Sequence, residues 1–206
     1  MSSFTYEFEN RLDKLETFEW DNVWWEHADE AGTPRVLYIG DSISVATRRV
    51  ATETSGNTIY FDGLGTSKAL DNPHFPDTVR LFARQEGERQ AVLFNNGLHG
   101  WHLDDESEYG EYYEQMIKFL ISEFAGTPIF LILTSAVADL ERDGRVVKRN
   151  AAVLELAKKY GLPVIDYYSI VNSHRDLICP DGVHLLPDGY KLLAQKIVSE
   201  VKEVIR

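Results

Sequence analysis

Two kinds of apolar run alternate along this chain. Residues 35–39 (RVLYI), 58–61 (TIYF), 91–94 (AVLF), 129–133 (IFLIL) and 163–166 (PVID) are short, nearly continuous, and rich in β-branched or aromatic side chains. Such runs suit strands buried on both faces of a parallel sheet. Between them the spacing is helical. Tyr112, Met116, Phe119, Leu120 and Phe124 recur at three and four, and residues 151–160 behave likewise. In residues 190–204, Leu192, Leu193, Ile197, Val201 and Val204 mark one stripe. Five strands with intervening helices predict a doubly wound α/β protein, a three-layer α/β/α sandwich around a five-stranded parallel sheet. In such folds the site lies beyond the carboxyl ends of the strands.

Residues 34–206 supply the whole of that pattern. Residues 1–33 precede it as an aromatic-rich segment carrying Phe18, Trp20, Trp24 and Trp25. It reads as a helix or arm packed on the domain, with its aromatics in the core. No internal repeat, low-complexity tract or long linker interrupts the chain.

Composition changes this picture little. A length of 206 residues fits one domain, because single cores stop growing only beyond about 250–300 residues. The single cysteine, Cys179, excludes an internal disulfide framework and fits a reducing compartment. A net charge of −12 argues against nucleic acid and anionic membrane as partners, since both require Lys and Arg to meet phosphates. Charges interrupt every apolar run well before the roughly 18 residues of a membrane span. The first ten residues are acidic and lack the basic and apolar regions of a signal peptide, so the chain as written reads as cytoplasmic. Self-association into a homo-oligomer is left open.

Two loops carry the candidate chemistry. In Ile39-Gly40-Asp41-Ser42, directly after the first strand, Ser42 opens a helix. There the helix dipole and unpaired N–H groups stabilise an oxyanion. Taken alone, Ser42 or Asp41 is equally a helix cap. The second loop, residues 180–190 (PDGVHLLPDGY), precedes the last helix and sets Asp181 three residues before His184. A carboxylate so placed can fix the tautomer of an imidazole and stabilise the imidazolium. Its plain alternative is an Asp-Gly turn with a loop histidine. Together the loops place nucleophile, base and orienting acid at the carboxyl edge of one sheet.

In order and spacing these segments resemble the signature blocks of the SGNH/GDSL hydrolases, from about Pro34 to the last helix. Residues 39–42 are similar to the first block and residues 181–184 (DGVH) to the last. Residues 62–67 (DGLGTS) resemble the second, whose glycine donates a backbone N–H to the oxyanion hole; Gly65 matches it. The resemblance implies a flavodoxin-like SGNH hydrolase fold and hydrolysis of a small ester through a triad of Ser42, His184 and Asp181, with no cofactor and no metal. The third block departs from the pattern. The family has Gly-x-Asn-Asp, and this chain has residues 94–102 (FNNGLHGWH). Aligning Gly97 with the family glycine puts His99 where the oxyanion-hole asparagine belongs. Asn96, or Asn95, reaching from just upstream is the other candidate, and asparagine, the usual residue type, tips the reading to Asn96.

Other chemistries fit less well. His99, His102 and Asp104 do not match a known metal-ligand spacing. Residues 63–68 lack the phosphate-loop pattern, and no glycine-rich loop for a flavin or nucleotide follows the first strand. No Gly-x-Ser-x-Gly elbow surrounds Ser42. The expectation is a serine esterase with a shallow pocket for a short acyl group such as acetyl. Trp101 offers a face for a sugar ring, so an O-acetyl carbohydrate is the first expectation for the substrate. A lysophospholipase-like esterase, or a silent relative that binds an acylated glycan, is the rival reading.

Overall fold

The computed structural model describes residues 18–205 apart from 86 and 104. The first half of the N-terminal arm (residues 1–17) and Asp104 therefore lie outside the described residues. Six strands form one sheet: β1 (Asp21–Trp24), β2 (Arg35–Gly40), β3 (Tyr60–Thr66), β4 (Ala91–Phe94), β5 (Ile129–Leu133) and β6 (Val164–Asp166). Their order is β1-β3-β2-β4-β5-β6, and every pairing is parallel except β1 with β3. Six helices cover it: α1 (Ser42–Thr54), α2 (Phe75–Ala83), α3 (Glu106–Glu123), α4 (Leu140–Tyr160), α5 (Tyr167–Ser173) and α6 (Pro187–Lys202).

The strands are continuous apolar runs because both faces are covered. On β2, Val36 and Tyr38 join one core with Ile43 and Ala51 of α1, Val171 of α5, and Leu193, Ile197 and Val201 of α6. Leu37 and Ile39 point the other way, into Phe75 and Val79 of α2, Tyr109 to Leu120 of α3, and Val153 of α4. Four helices start alike. Asp41, Asp105, Asp139 and Asp166 each accept a first-turn N–H at the head of α1, α3, α4 and α5.

The sheet differs from expectation at one edge. The arm supplies β1, so the sheet has six strands and is mixed rather than five-stranded and parallel. Four solvated residues, Asp21-Asn22-Val23-Trp24, have no apolar run to announce them. β3 also runs on through Asp62–Thr66, past the end of the apolar run at residues 58–61. Asp62 is tolerated there because Arg35 Nη1 donates to it at 2.8 Å, inside the sheet. The arm aromatics divide in role. Trp25 stacks on Phe82 at 3.9 Å, whereas Phe18 and Trp24 are exposed. The helices α2 and α5 are short, nine and seven residues, and the first half of α4 lacks a clean apolar stripe in the sequence.

Arg35 ties the arm to the sheet. Besides Asp62 it donates to the carbonyls of Glu26 and His27, and the Glu26 N–H donates to Asp62 Oδ1. Burial pushes the Asp62 carboxyl up, opposed by the Glu26 N–H and the Arg35 guanidinium. Removing the cation leaves a buried carboxylate short of its partner, so Arg35→Met is expected to lower unfolding free energy by about 3–5 kcal/mol. Urea denaturation followed by circular dichroism measures it. A loss below about 1 kcal/mol, the level of an exposed pair, would mean that Arg89, 3.7 Å from Asp62, suffices alone.

Candidate active site

The winding of the sheet reverses at β2. From β2 the chain crosses through α1 to β3 on one side, then returns past β2 to β4 on the other. The carboxyl ends of β2 and β4 therefore diverge and leave a crevice. Ser42, the first residue of α1, stands at its mouth. Asp41 caps the helix by accepting the N–H of Ile43 at 2.9 Å, while its backbone carbonyl accepts from Val45 N–H and the Ser44 hydroxyl. The Ser42 N–H belongs to the first helical turn, where the backbone lacks intrahelical acceptors. Asp41 is buried, which pushes its carboxyl up; the charge of His99 and the N–H bond from Ile43 act in the opposite sense.

The loop before α6 delivers the other two groups. His184 Nε2 is 2.8 Å from Ser42 Oγ, and its Nδ1 is 2.9 Å from Asp181 Oδ2. The other carboxylate oxygen, Oδ1, accepts the backbone N–H groups of Val183 and His184, each at 2.9 Å. Those two bonds, with the His184 side chain, hold the Asp181 carboxyl down at about 2. An ionised carboxylate only accepts, so a neutral His184 carries its proton on Nδ1 and receives the Ser42 hydroxyl at Nε2. The turn is closed by Gly182, whose φ is +80°, and by a bond from Cys179 N–H to the His184 carbonyl at 2.7 Å. It is tied sideways to the loop after β5 through Ala138 N–H and the Gly182 carbonyl, 2.8 Å apart.

A cleft of about 430 Å³ opens over this relay, lined by Trp20, Ser42, Leu98, His99, Asp181, Val183 and His184. Of the third-block candidates, His99 reaches this lining and the asparagines do not. Asn96 is buried and its amide donates to the Lys68 carbonyl at 2.9 Å. Asn95 donates to the Ile132 carbonyl and to Thr134 Oγ1, joining β4 to the end of β5. Gly97 is required by crowding, since a Cβ there would lie 1.9 Å from Thr134 Oγ1.

Gly65 lies within β3, opposite Gly40, and is not on the lining. A Cβ on it would lie 2.2 Å from Val45 Cγ2, so the approach of α1 is sufficient reason for a glycine. Trp101 is also set away from the lining, its ring packed by the guanidinium groups of Arg142, Arg145 and Arg149. The aromatic at the cleft is instead Trp20, edge-on to the His99 ring with centroids 6.1 Å apart. Its backbone is bonded to Ser67 in both directions, through the Trp20 N–H and the Trp20 carbonyl. Nothing in the sequence separates Trp20 from its neighbours in the arm. Its role follows from a strand pairing that the sequence does not announce.

His102, exposed, meets both oxygens of Asp71 at 3.1 Å. Among the described residues no group of three or more His, Cys, Asp or Glu side chains is placed to hold a metal ion.

No family model matches the chain. Among curated proteins it is similar to the "Putative peptidoglycan O-acetyltransferase YrhL" of Bacillus subtilis (strain 168), at 24% identity over 170 residues. That match covers 81% of this chain, which spans only 24% of the relative's length. Among the solved structures alike in fold are the following three. An acetyl xylan esterase, AlAXEase, superposes with a TM-score of 0.65 at 19% identity, over 81% of this chain and 99% of its own. A lipase/acylhydrolase from Enterococcus faecalis gives 0.66 at 18% identity, over 83% and 96%. The C-terminal catalytic domain of peptidoglycan O-acetyltransferase A from Streptococcus pneumoniae, with a methylsulfonyl adduct, gives 0.65 at 17%, over 84% and 94%. The fold of this chain is that of the SGNH/GDSL hydrolases.

The depressed Asp181 carboxyl fixes an expectation for pH. In the folded chain the group stays ionised until pH approaches about 2, whereas an unperturbed carboxyl titrates at 3.8. Its contribution is therefore complete above that ordinary value and is lost only as pH falls through about 2. Any acid limb in kcat/KM between pH 4 and 8 is expected in the wild type and in Asp181→Asn alike, the variant lowering the plateau without removing the limb. Disappearance of the limb in Asp181→Asn would assign the ionisation to this carboxyl.

Proposed function

We propose that this protein is a serine esterase that removes a short acyl group, acetyl first, from a carbohydrate or another small alcohol. The observation that carries the reading is the continuous relay from Asp181 through His184 to Ser42, facing an open cleft. In the reaction, Ser42 Oγ attacks the ester carbonyl carbon as His184 Nε2 takes its proton. Asp181 holds the imidazole in the required tautomer and balances the imidazolium. The tetrahedral intermediate collapses as His184 gives that proton to the leaving alcohol. Water then attacks the acyl-serine by the same route in reverse order, releasing the acid and restoring the Ser42 hydroxyl.

The developing oxyanion is met by the Ser42 N–H and, in this reading, by the imidazole of His99. His99 stands on the cleft wall, which neither Asn95 nor Asn96 lines. Leu98, Val183 and Trp20 make the rest of the wall apolar, which suits a methyl group better than a charged substituent. The likeness in fold to an acetyl xylan esterase agrees with a sugar-bound acetyl group. The same acyl-serine can pass its acyl group to a sugar hydroxyl instead of water. The similarity to two proteins named as peptidoglycan O-acetyltransferases makes that the second reading.

The test is turnover of p-nitrophenyl acetate and of acetylated sugars, with product acid and transferred acyl group both quantified. Ser42→Ala and His184→Ala are each expected to lower kcat on the order of 10³-fold or more while the fold is retained. Half the wild-type rate in either variant would end the triad reading. An acyl group recovered mainly on an added sugar would favour transfer over hydrolysis. For the oxyanion, His99→Ala is expected to lower kcat by about 10²–10³-fold with KM little changed, because the bond strengthens only in the transition state. Asn96→Ala is expected to cost stability and leave kcat within a few-fold.

A further inference from the structure

Arg149, on α4, is fully buried, and its guanidinium is turned into the loop that follows β4. Its Nη1 donates to the carbonyls of Gly97 at 3.0 Å and His99 at 2.8 Å, and its Nη2 to that of Gly100 at 2.7 Å. The cation lies 4.6 Å from the ring centroids of both Trp101 and Tyr109. One helical turn earlier, Arg145 donates to the carbonyls of Trp101 and Leu103. Two side chains on one helix face thus collect five carbonyls of one loop. Asn150, the next residue on α4, holds the end of β5 by accepting the Thr134 N–H and donating to the Thr134 carbonyl.

This arrangement is more specific than a packing contact. A loop of five carbonyls turned towards buried donors has few alternatives, because each oxygen released into the interior would lose its partner. The planar fork of the guanidinium fixes the directions of its bonds as well as their number, which a lysine ammonium cannot reproduce. His99 lies inside the clamp. Its carbonyl is held directly, those of Gly97 and Gly100 are held close by on either side, and its ring is left on the cleft wall beside Trp20.

We propose that Arg149 is a positioning residue for the reaction: by gathering the carbonyls around His99 it sets the imidazole where the oxyanion forms. The proposal rests on the reading of His99 as an oxyanion donor, and the two can fail separately. The comparison uses Arg149→Lys, His99→Ala and the double variant, each characterised by kcat and KM on p-nitrophenyl acetate. Ring resonances of the histidines are recorded by NMR, where only six histidines contribute. Arg149→Lys is expected to lower kcat by about 10- to 100-fold, the cost of a small misplacement at the reacting centre, with KM within about twofold. In the His99→Ala background the same substitution is expected to cost less than about twofold, because the group it positions is gone. The His99 ring resonance, assigned by its absence in His99→Ala, is expected to shift in Arg149→Lys.

An equal loss of kcat in both backgrounds, or an unmoved His99 resonance in folded Arg149→Lys, overturns the positioning role. Wild-type kcat in His99→Ala overturns the oxyanion reading and the catalytic consequence of the clamp together. The ring resonance then still decides, by itself, whether Arg149 sets the position of His99. Should Arg149→Lys not fold, Arg149→Gln, a planar donor without charge, takes the same measurements.

Discussion

The reversal of winding at β2 is the constraint on which the rest of this structure depends. Because β3 and β4 leave β2 in opposite directions, no helix can cover the carboxyl end of β2 and the crevice stays open. Everything that faces Ser42 is brought there by a neighbouring loop: His99 from the end of β4, His184 and Asp181 from the turn before α6, Trp20 from the arm beside β3. The two cores on either face of β2 bury that strand from end to end and fix the point from which α1 starts.

Electrostatics at the head of α1 explain why a donor from outside the helix matters. The positive end of a helix favours an anion, but here a carboxylate, Asp41, already caps it from within the core. A second negative charge forming at Ser42 meets that carboxylate as well as the dipole. The raised Asp41 carboxyl records the burial, and the charge of His99 acts on it in the opposite sense. His184 acts on it in the same sense, so the capping carboxylate feels both imidazoles that line the cleft.

Much of the fold was legible in the sequence because β2, β4 and β5 are buried on both faces and carry unbroken apolar runs. The residues of the relay were legible because Ser42, Asp181 and His184 sit in short loops of distinctive composition. What escaped was held by partners distant in sequence. β1 has a solvated face and is defined only by its pairing with β3, and the second half of β3 hides a carboxylate that needs Arg35. His99 and Asn96 are chemically comparable as donors. Only the fold shows that the Lys68 carbonyl, 28 positions upstream, takes an N–H of the Asn96 amide while His99 lines the cleft. Arg149 reads in sequence as one more charge on a polar helix, since nothing local says that its acceptors are carbonyls some fifty positions away.

The turn that carries both Asp181 and His184 has a consequence for how the site comes into being. Acid and base are three residues apart and bonded within a single turn, so their alignment is a local property of that segment. The bond from His184 to Ser42, by contrast, spans 142 positions. It closes when α6 seats against α1 through Leu193, Ile197 and Val201. The relay is thus complete only where α6 is packed on α1, so turnover by the proposed esterase would also report whether the last helix is seated.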